Sequence, residues 1–250
     1  MKLNTVTKIC LSGLILALTV IFTRFLSIQN IPVLPFVRIS IGPALIIFAS
    51  LLLGPLFGGV IGGASDILGI LLVPNALGYS INPWFTLIYT LLGILPWCVY
   101  QLFKKIKNEK ILLIIFGATL FALWTFVLVY GLLNDKVGSV NFELWQKILI
   151  FSLSFVMCFL ILVIVYFINK HFIRSGDINI MSVAFTCLIA EIIVMLIGNT
   201  IVKSIFFEVD FLVILFFQSI VFFINIPLNT VVVGYLLKLT NKVFLNKNHV

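Results

Sequence analysis

Glu191 is the one carboxylate inside the apolar run Ile180–Val202. It sits about 16 Å from either end of that run at ~1.5 Å per helical residue. An ionisable group at such depth faces a partner or a cavity, which makes it a candidate for holding a polar ligand or carrying a proton. Asn199 and Lys203 lie further along the same helix, a step of four apart. The plainer role for Glu191 and Asn199 is a hydrogen-bonded strut between helices. The final apolar run carries a second set, Gln218, Asn225 and Asn229, spaced by seven and four. At ~100° per residue these three stay within about 40° of one face. Pro227 lies among them and frees a backbone carbonyl one turn earlier. Such a stripe suits a ligand rich in hydrogen-bonding groups, although amides also fasten helices to one another.

Two connecting segments supply further candidates. The stretch Ser27–Arg38 is stiffened by prolines and ends in an arginine whose planar fork suits a carboxylate. The stretch Pro74–Phe85 contains Asn82, Trp84 and Phe85, an amide and two aromatic faces that could flank a planar ligand. The competing role for these aromatics is the belt that membrane proteins keep at the headgroup level. Other chemistry finds little support. Cys10, Cys98, Cys158 and Cys187 lie in apolar runs without metal-ligand spacing and read as small apolar filler. The histidines, His171 and His249, lie near chain segments expected at helix ends, and no HExxH cluster is present. There is no GxxxxGK[ST] loop, so the chain is not expected to hydrolyse ATP.

These side chains need helices to hold them. The chain is 62% hydrophobic and 10% charged, with 25 phenylalanines in 250 residues. Soluble domains carry about 25% charged residues, so this is an all-α integral membrane protein in a lipid bilayer. Eight spans are expected: Ile9–Phe25, Ile39–Leu53, Leu56–Val73, Pro83–Phe103, Ile111–Leu133, Ile148–Ile168, Ile180–Val202 and Phe211–Leu237. The first has no small-residue cleavage site after it and reads as a retained helix. With both termini cytoplasmic, eleven of the sixteen Lys and Arg residues fall on the inner side, as the positive-inside rule requires. The net charge of +8 comes from lysines near helix ends. It suits anionic headgroups and leaves no basic face for nucleic acid.

The third span has an almost side-chain-free flank, with Gly58 and Gly62 four apart. In lipid, helices associate by close approach over small residues. Gly58, Gly62 and Asp66 on that flank, with Gly13 and Ala17 on the first span, are therefore expected to form a partner-docking face.

Several stretches resemble one family. Arg38-Ile-Ser-Ile-Gly, Leu53-Gly-Pro-Leu-Phe-Gly-Gly, Ala64-Ser-Asp-Ile-Leu-Gly and Asn82-Pro-Trp-Phe-Thr-Leu look like the substrate-binding S components of energy-coupling-factor (ECF) vitamin transporters. Glu191, Asn199-Thr200 and Ile226-Pro-Leu-Asn229 are similar to helices five and six of the folate-type subfamily. The resemblance covers roughly residues 1–105 and 178–245. It implies a six-helix bundle in the bacterial cell membrane that captures a vitamin such as folate from outside, with no further cofactor. It also implies partners: a transmembrane coupling (T) protein and two cytoplasmic ATPases, docked through small residues of the first three helices. The ligand would be lined by Arg38, Asn82, Trp84, Phe85, Glu191, Asn199, Gln218 and Asn225.

Two departures stand out. Residues 106–176 add a two-helix hairpin, giving about eight helices and a division into 1–105, 106–176 and 177–250. Gln218 stands about where the folate-type pattern tends to have an arginine, and a glutamine cannot neutralise a glutamate tail. Two other classes are weighed against this expectation. A proton-coupled secondary transporter should show paired inverted repeats, and none is apparent. An intramembrane enzyme should show an activated nucleophile or an acid–base pair, and none is visible.

Overall fold

The computed structural model describes residues 4–28, 37–73, 82–103, 109–134, 136–137, 140–141, 143–173 and 180–245. The segments 29–36 and 74–81, part of the expected ligand-facing connections, lie outside the described residues. Helix α1 (Thr5–Val20) continues into a wide π-helical turn, Ile21–Phe25. It is followed by α2 (Gly42–Leu53), α3 (Pro55–Leu72), α4 (Pro83–Phe103) and α5 (Glu109–Leu133). Strands β1 (Lys136–Val137) and β2 (Val140–Asn141) pair antiparallel as a small hairpin before α6 (Leu144–Ile173). Helix α7 (Ile180–Ala190) passes through a π-helical segment, Glu191–Gly198, into α8 (Asn199–Phe207), and α9 (Phe211–Leu245) closes the chain.

Six of these helical stretches are long and apolar enough to cross a membrane, and α2 and the Trp145–Ile161 part of α6 are shorter apolar helices. Each of the eight expected spans corresponds to a helix in its described part, with different ends. Helix α2 begins at Gly42 because Ile39 instead bridges Ile28, with N···O distances of 3.0 and 3.1 Å. At twelve residues, α2 is only about 18 Å long, less than a ~30 Å hydrocarbon core. It is apolar on every side, and Ala44, Ile46, Ile47 and Ala49 are fully buried among the other helices, as expected of a helix with no lipid- or water-facing stripe. Gly54 ends it at φ 100°, a conformation open to glycine, and Pro55 starts α3 where its missing N–H has no ladder partner to lose.

The glycine flank of α3 is filled from within the molecule. A side-chain carbon on Gly58 would lie 2.3 Å from the Gly93 carbonyl oxygen, and one on Gly62 would lie 2.0 Å from that of Tyr89. Helices α3 and α4 thus cross backbone to backbone, the geometry small residues permit in lipid. The docking role expected of Gly58 and Gly62 is corrected here, because α4 already occupies their face. Gly13 differs: nothing lies within 4 Å of where its side chain would begin. Ala17 is exposed as well, and their neighbours Ile9, Leu14 and Leu18 are exposed apolar side chains.

Two packed regions share α7 and α9. One joins α5 and α6 to them through residues such as Leu112, Phe116, Val127, Phe185, Phe216 and Phe223. The other joins α1 to α4 to them through Ile15, Ile46, Ile61, Leu92, Cys187 and Val233. Successive faces of α7 therefore serve different halves of the molecule, and the polar residues of α7–α9 lie at the seam.

A polar pocket at the seam of the bundle

A cavity with an empty volume of about 920 Å³, counting its open mouth, lies among α1, the segment before α2, α3, α4, α7–α8 and α9. None of its described lining residues comes from α5 or α6.

The α7–α8 rod gives the longest wall. Glu191, Met195, Asn199 and Lys203, each four residues beyond the last, all line the cavity. In a regular α-helix each step of four drifts ~40° round the axis, which would leave Lys203 about 120° from Glu191. The π-helical segment Glu191–Gly198 holds more residues per turn and offsets part of that drift. Glu191 is 1% exposed and accepts a hydrogen bond at Oε1 from Nδ2 of Asn229 on α9. It is thus a strut between two helices and a wall of the cavity together.

Helix α9 faces this rod with Gln218, Phe222 and Asn225. Nε2 of Gln218 and Oδ1 of Asn225 are buried and have no hydrogen-bond partner among the described residues. A buried polar atom left so costs roughly 1–3 kcal/mol, and a ligand in the cavity is one way of removing that penalty. Asn229, fully buried, carries a third such atom, Oδ1.

The remaining walls are cationic and aromatic. Arg38 donates from Nη2 to the Tyr89 hydroxyl at 2.5 Å and from Nη1 to the Thr23 carbonyl at 3.4 Å. Arg24, in the π-turn that ends α1, lies 3.3 Å from Oδ1 of Asp66, and both side chains are under 10% exposed. Thr86 Oγ1 donates to the other Asp66 oxygen at 2.9 Å. Phe85 is buried and packs edge-on against Phe206 of α8, ring centroids 6.0 Å apart.

Six residues expected to line a ligand site therefore border one cavity: Arg38, Phe85, Glu191, Asn199, Gln218 and Asn225. Two do not. Asn82 accepts at Oδ1 from the Trp84 backbone N–H at 3.0 Å, capping the start of α4. Trp84 is 64% exposed, pointing away from the cavity that its neighbour Phe85 enters. Asp66 is also corrected. It was assigned to the docking flank, yet it borders the cavity and holds Arg24, because Gly62 and Gly69 on the same helix let α4 and the Arg24 side chain close over it. Arg24, Tyr89 and Ser40 also line the cavity, where the sequence reading expects none of them. Arg24 had a readable signal, an arginine in the last turn of an apolar helix, which needs a counter-charge. Among the described residues no cluster of His, Cys, Asp and Glu could hold a metal ion.

A helical membrane bundle with a cavity lined by charged, amide and aromatic side chains has the form of a membrane-embedded small-molecule site. The family model described as ECF transporter, substrate-specific component matches residues 7–140, more than half of the sequence, and the chain belongs to that family. The match runs through α5 and into the β-hairpin. Among characterised proteins, the chain is similar to the folate transporter FolT of Clostridium novyi (strain NT), with 34% identity over 98 residues. The aligned stretch is 39% of this chain and 52% of that relative, so the chain spans about half the relative's length. No solved structure matches it.

Proposed function

We propose that this chain is the vitamin-capturing subunit of an ATP-driven ECF importer and that its ligand is folate or a close relative. The observation that carries the binding role is the pair of buried amide atoms on Gln218 and Asn225 that line one polar cavity without a hydrogen-bond partner among the described residues. Family membership supports the class, and the similarity to a folate transporter supports the choice of vitamin. Arg38, Phe85, Glu191, Asn199, Gln218 and Asn225 contact the ligand in this reading, while Arg24 and Asp66 hold the outer wall in shape. Transport energy comes from a T protein and two cytoplasmic ATPases, and the exposed face of α1 around Gly13 and Ala17 is the docking surface. Both termini lie in the cytoplasm of a bacterial cell. Helices α5 and α6 pack beside the ligand-holding helices.

The test is equilibrium binding of a vitamin panel to the purified chain in detergent, read by quenching of its tryptophans. Tight binding of folate or a reduced folate by the chain alone supports the proposal. Binding of another vitamin keeps the subunit role and changes the substrate. No binding across the panel, in protein that melts cooperatively, removes the capture role.

A further inference from the structure

Glu191 is a buried carboxylate without a counter-charge among the described residues. It is 1% exposed, its hydrogen bond comes from the neutral amide of Asn229, and it takes part in no ion pair. The cation further along its own rod, Lys203, stands twelve residues away, about three helical turns. A charge buried in this way is held only when something of opposite sign neutralises it.

The polar atoms next to Glu191 are unusual too. Oδ1 of Asn225 and Oδ1 of Asn229 are both buried without a hydrogen-bond partner, and the two residues are 9% and 0% exposed. Register brings these oxygens to the carboxylate. Glu191 lies sixteen residues back from Phe207, the end of α8, and α9 returns from Phe211 after a short turn. Asn225 and Asn229 lie fourteen and eighteen residues into that return, so the level of Glu191 falls between them. They stand one turn apart, within about 40° of one face of α9. Asn229 reaches Glu191 through the nitrogen of the same amide, and Asn225 borders the same cavity as Glu191.

Three oxygen-bearing groups with one negative charge among them make the donor set of a hard cation. A single charge is matched by a monovalent ion, whereas a divalent one would leave a buried excess. Transition metals, which favour His and Cys, have no such ligands here. A proton on Glu191 could serve one of the two amide oxygens and would leave the other unpaired. A water could bond both and would neutralise nothing.

We infer that Glu191, Asn225 and Asn229 form a site for an alkali cation, Na+ or K+, at the deep end of the cavity. The inference goes beyond the vitamin reading and does not depend on it.

The experiment is thermal unfolding of the full chain in detergent, without any vitamin, as choline chloride is replaced by NaCl or KCl at fixed pH and ionic strength. A saturable rise of about 3 °C or more with at least one of the two ions is expected. Glu191→Gln keeps an oxygen for Asn229 and should abolish the rise. Asn225→Ala removes an oxygen that has no partner in the protein. It should melt near the parent in choline and need about ten-fold more cation for the same rise. Should Glu191→Gln fail to fold, Asn225→Ala carries the test by itself. No rise with either ion would overturn the site. A rise of equal size and midpoint in the parent and in the folded variants would place the cation elsewhere and overturn it as well. With no vitamin in the experiment, either failure leaves the vitamin reading standing.

Discussion

Glu191 joins two duties that are usually separated. Its link to Asn229 ties α7–α8 to α9, and its carboxylate borders the cavity. Glu191→Gln keeps an oxygen for Asn229 and removes the charge. Ligand affinity should fall about five-fold, the difference between a charge-assisted and a neutral hydrogen bond. The melting temperature of the unliganded protein should move little. A titration showing unchanged affinity alongside a lower melting temperature would make the residue a strut alone. Asp66 predicts the opposite pattern. Asp66→Asn leaves the Arg24 guanidinium in the wall without its carboxylate, and breaking a buried pair from one side costs about 3–5 kcal/mol. The unliganded protein should melt well below the parent, with Arg24→Gln plus Asp66→Asn recovering part of the loss. Thr86→Val removes one hydrogen bond to the same carboxylate and should cost about 1–2 kcal/mol.

At the level of helices, the α3–α4 crossing and the α1 face respond differently to enlargement. Gly62→Leu forces a side chain onto the Tyr89 carbonyl. Tyr89 is also the hydroxyl partner of Arg38, so the shift reaches the cavity. Ligand binding and uptake should be lost together, along with much of the folded yield. Gly13→Leu meets open space and should leave ligand affinity in detergent within about two-fold, since exposed substitutions away from special features are nearly neutral. Uptake in cells and co-purification of the T protein should both drop. Normal uptake by Gly13→Leu would move the docking surface to another face, such as the exposed apolar side chains Leu56, Val60 and Leu71 of α3.

Across the whole molecule, α5 and α6 form a buttress. They pack on α7 and α9 through aromatic contacts such as Tyr130 with Phe216, ring centroids 5.6 Å apart. They also leave the cavity lining to the other helices. Gly131 lets the two come together, since a side chain there would meet the Phe151 ring at 2.8 Å and Phe216 at 3.3 Å. In the proposed orientation both termini lie in the cytoplasm, which puts most Lys and Arg on the inner side. A fluorescent protein fused after Val250 should therefore mature and fluoresce, whereas a periplasm-dependent phosphatase at the same point should stay inactive. Phosphatase activity there would invert the topology and turn the cavity mouth toward the cytoplasm.

Much of this architecture was legible in the sequence because it depends on local composition and period. Long apolar runs have to be helices in lipid, where every backbone group must bond within its own segment. Isolated polar residues such as Glu191, Gln218 and Asn225 have to face inward. The Gly54-Pro55 break and the glycines of α3 likewise follow from the chain's own steric limits. What those glycines meet is a different kind of fact. Gly58 and Gly62 offer a smooth face to any neighbour, and only the fold shows that the neighbour is α4. Asp66 was misassigned for the same reason, because its counter-charge Arg24 is far away in sequence and close in space. The shared wall of Glu191, Met195, Asn199 and Lys203 depends on a π-helical segment that no residue period announces. Its register is set by how α7 and α8 pack between the two halves of the bundle. Sequence determined which groups had to be inside; tertiary packing alone decided which of them meet around one cavity, because the energy of each pairing depends on a partner from another helix.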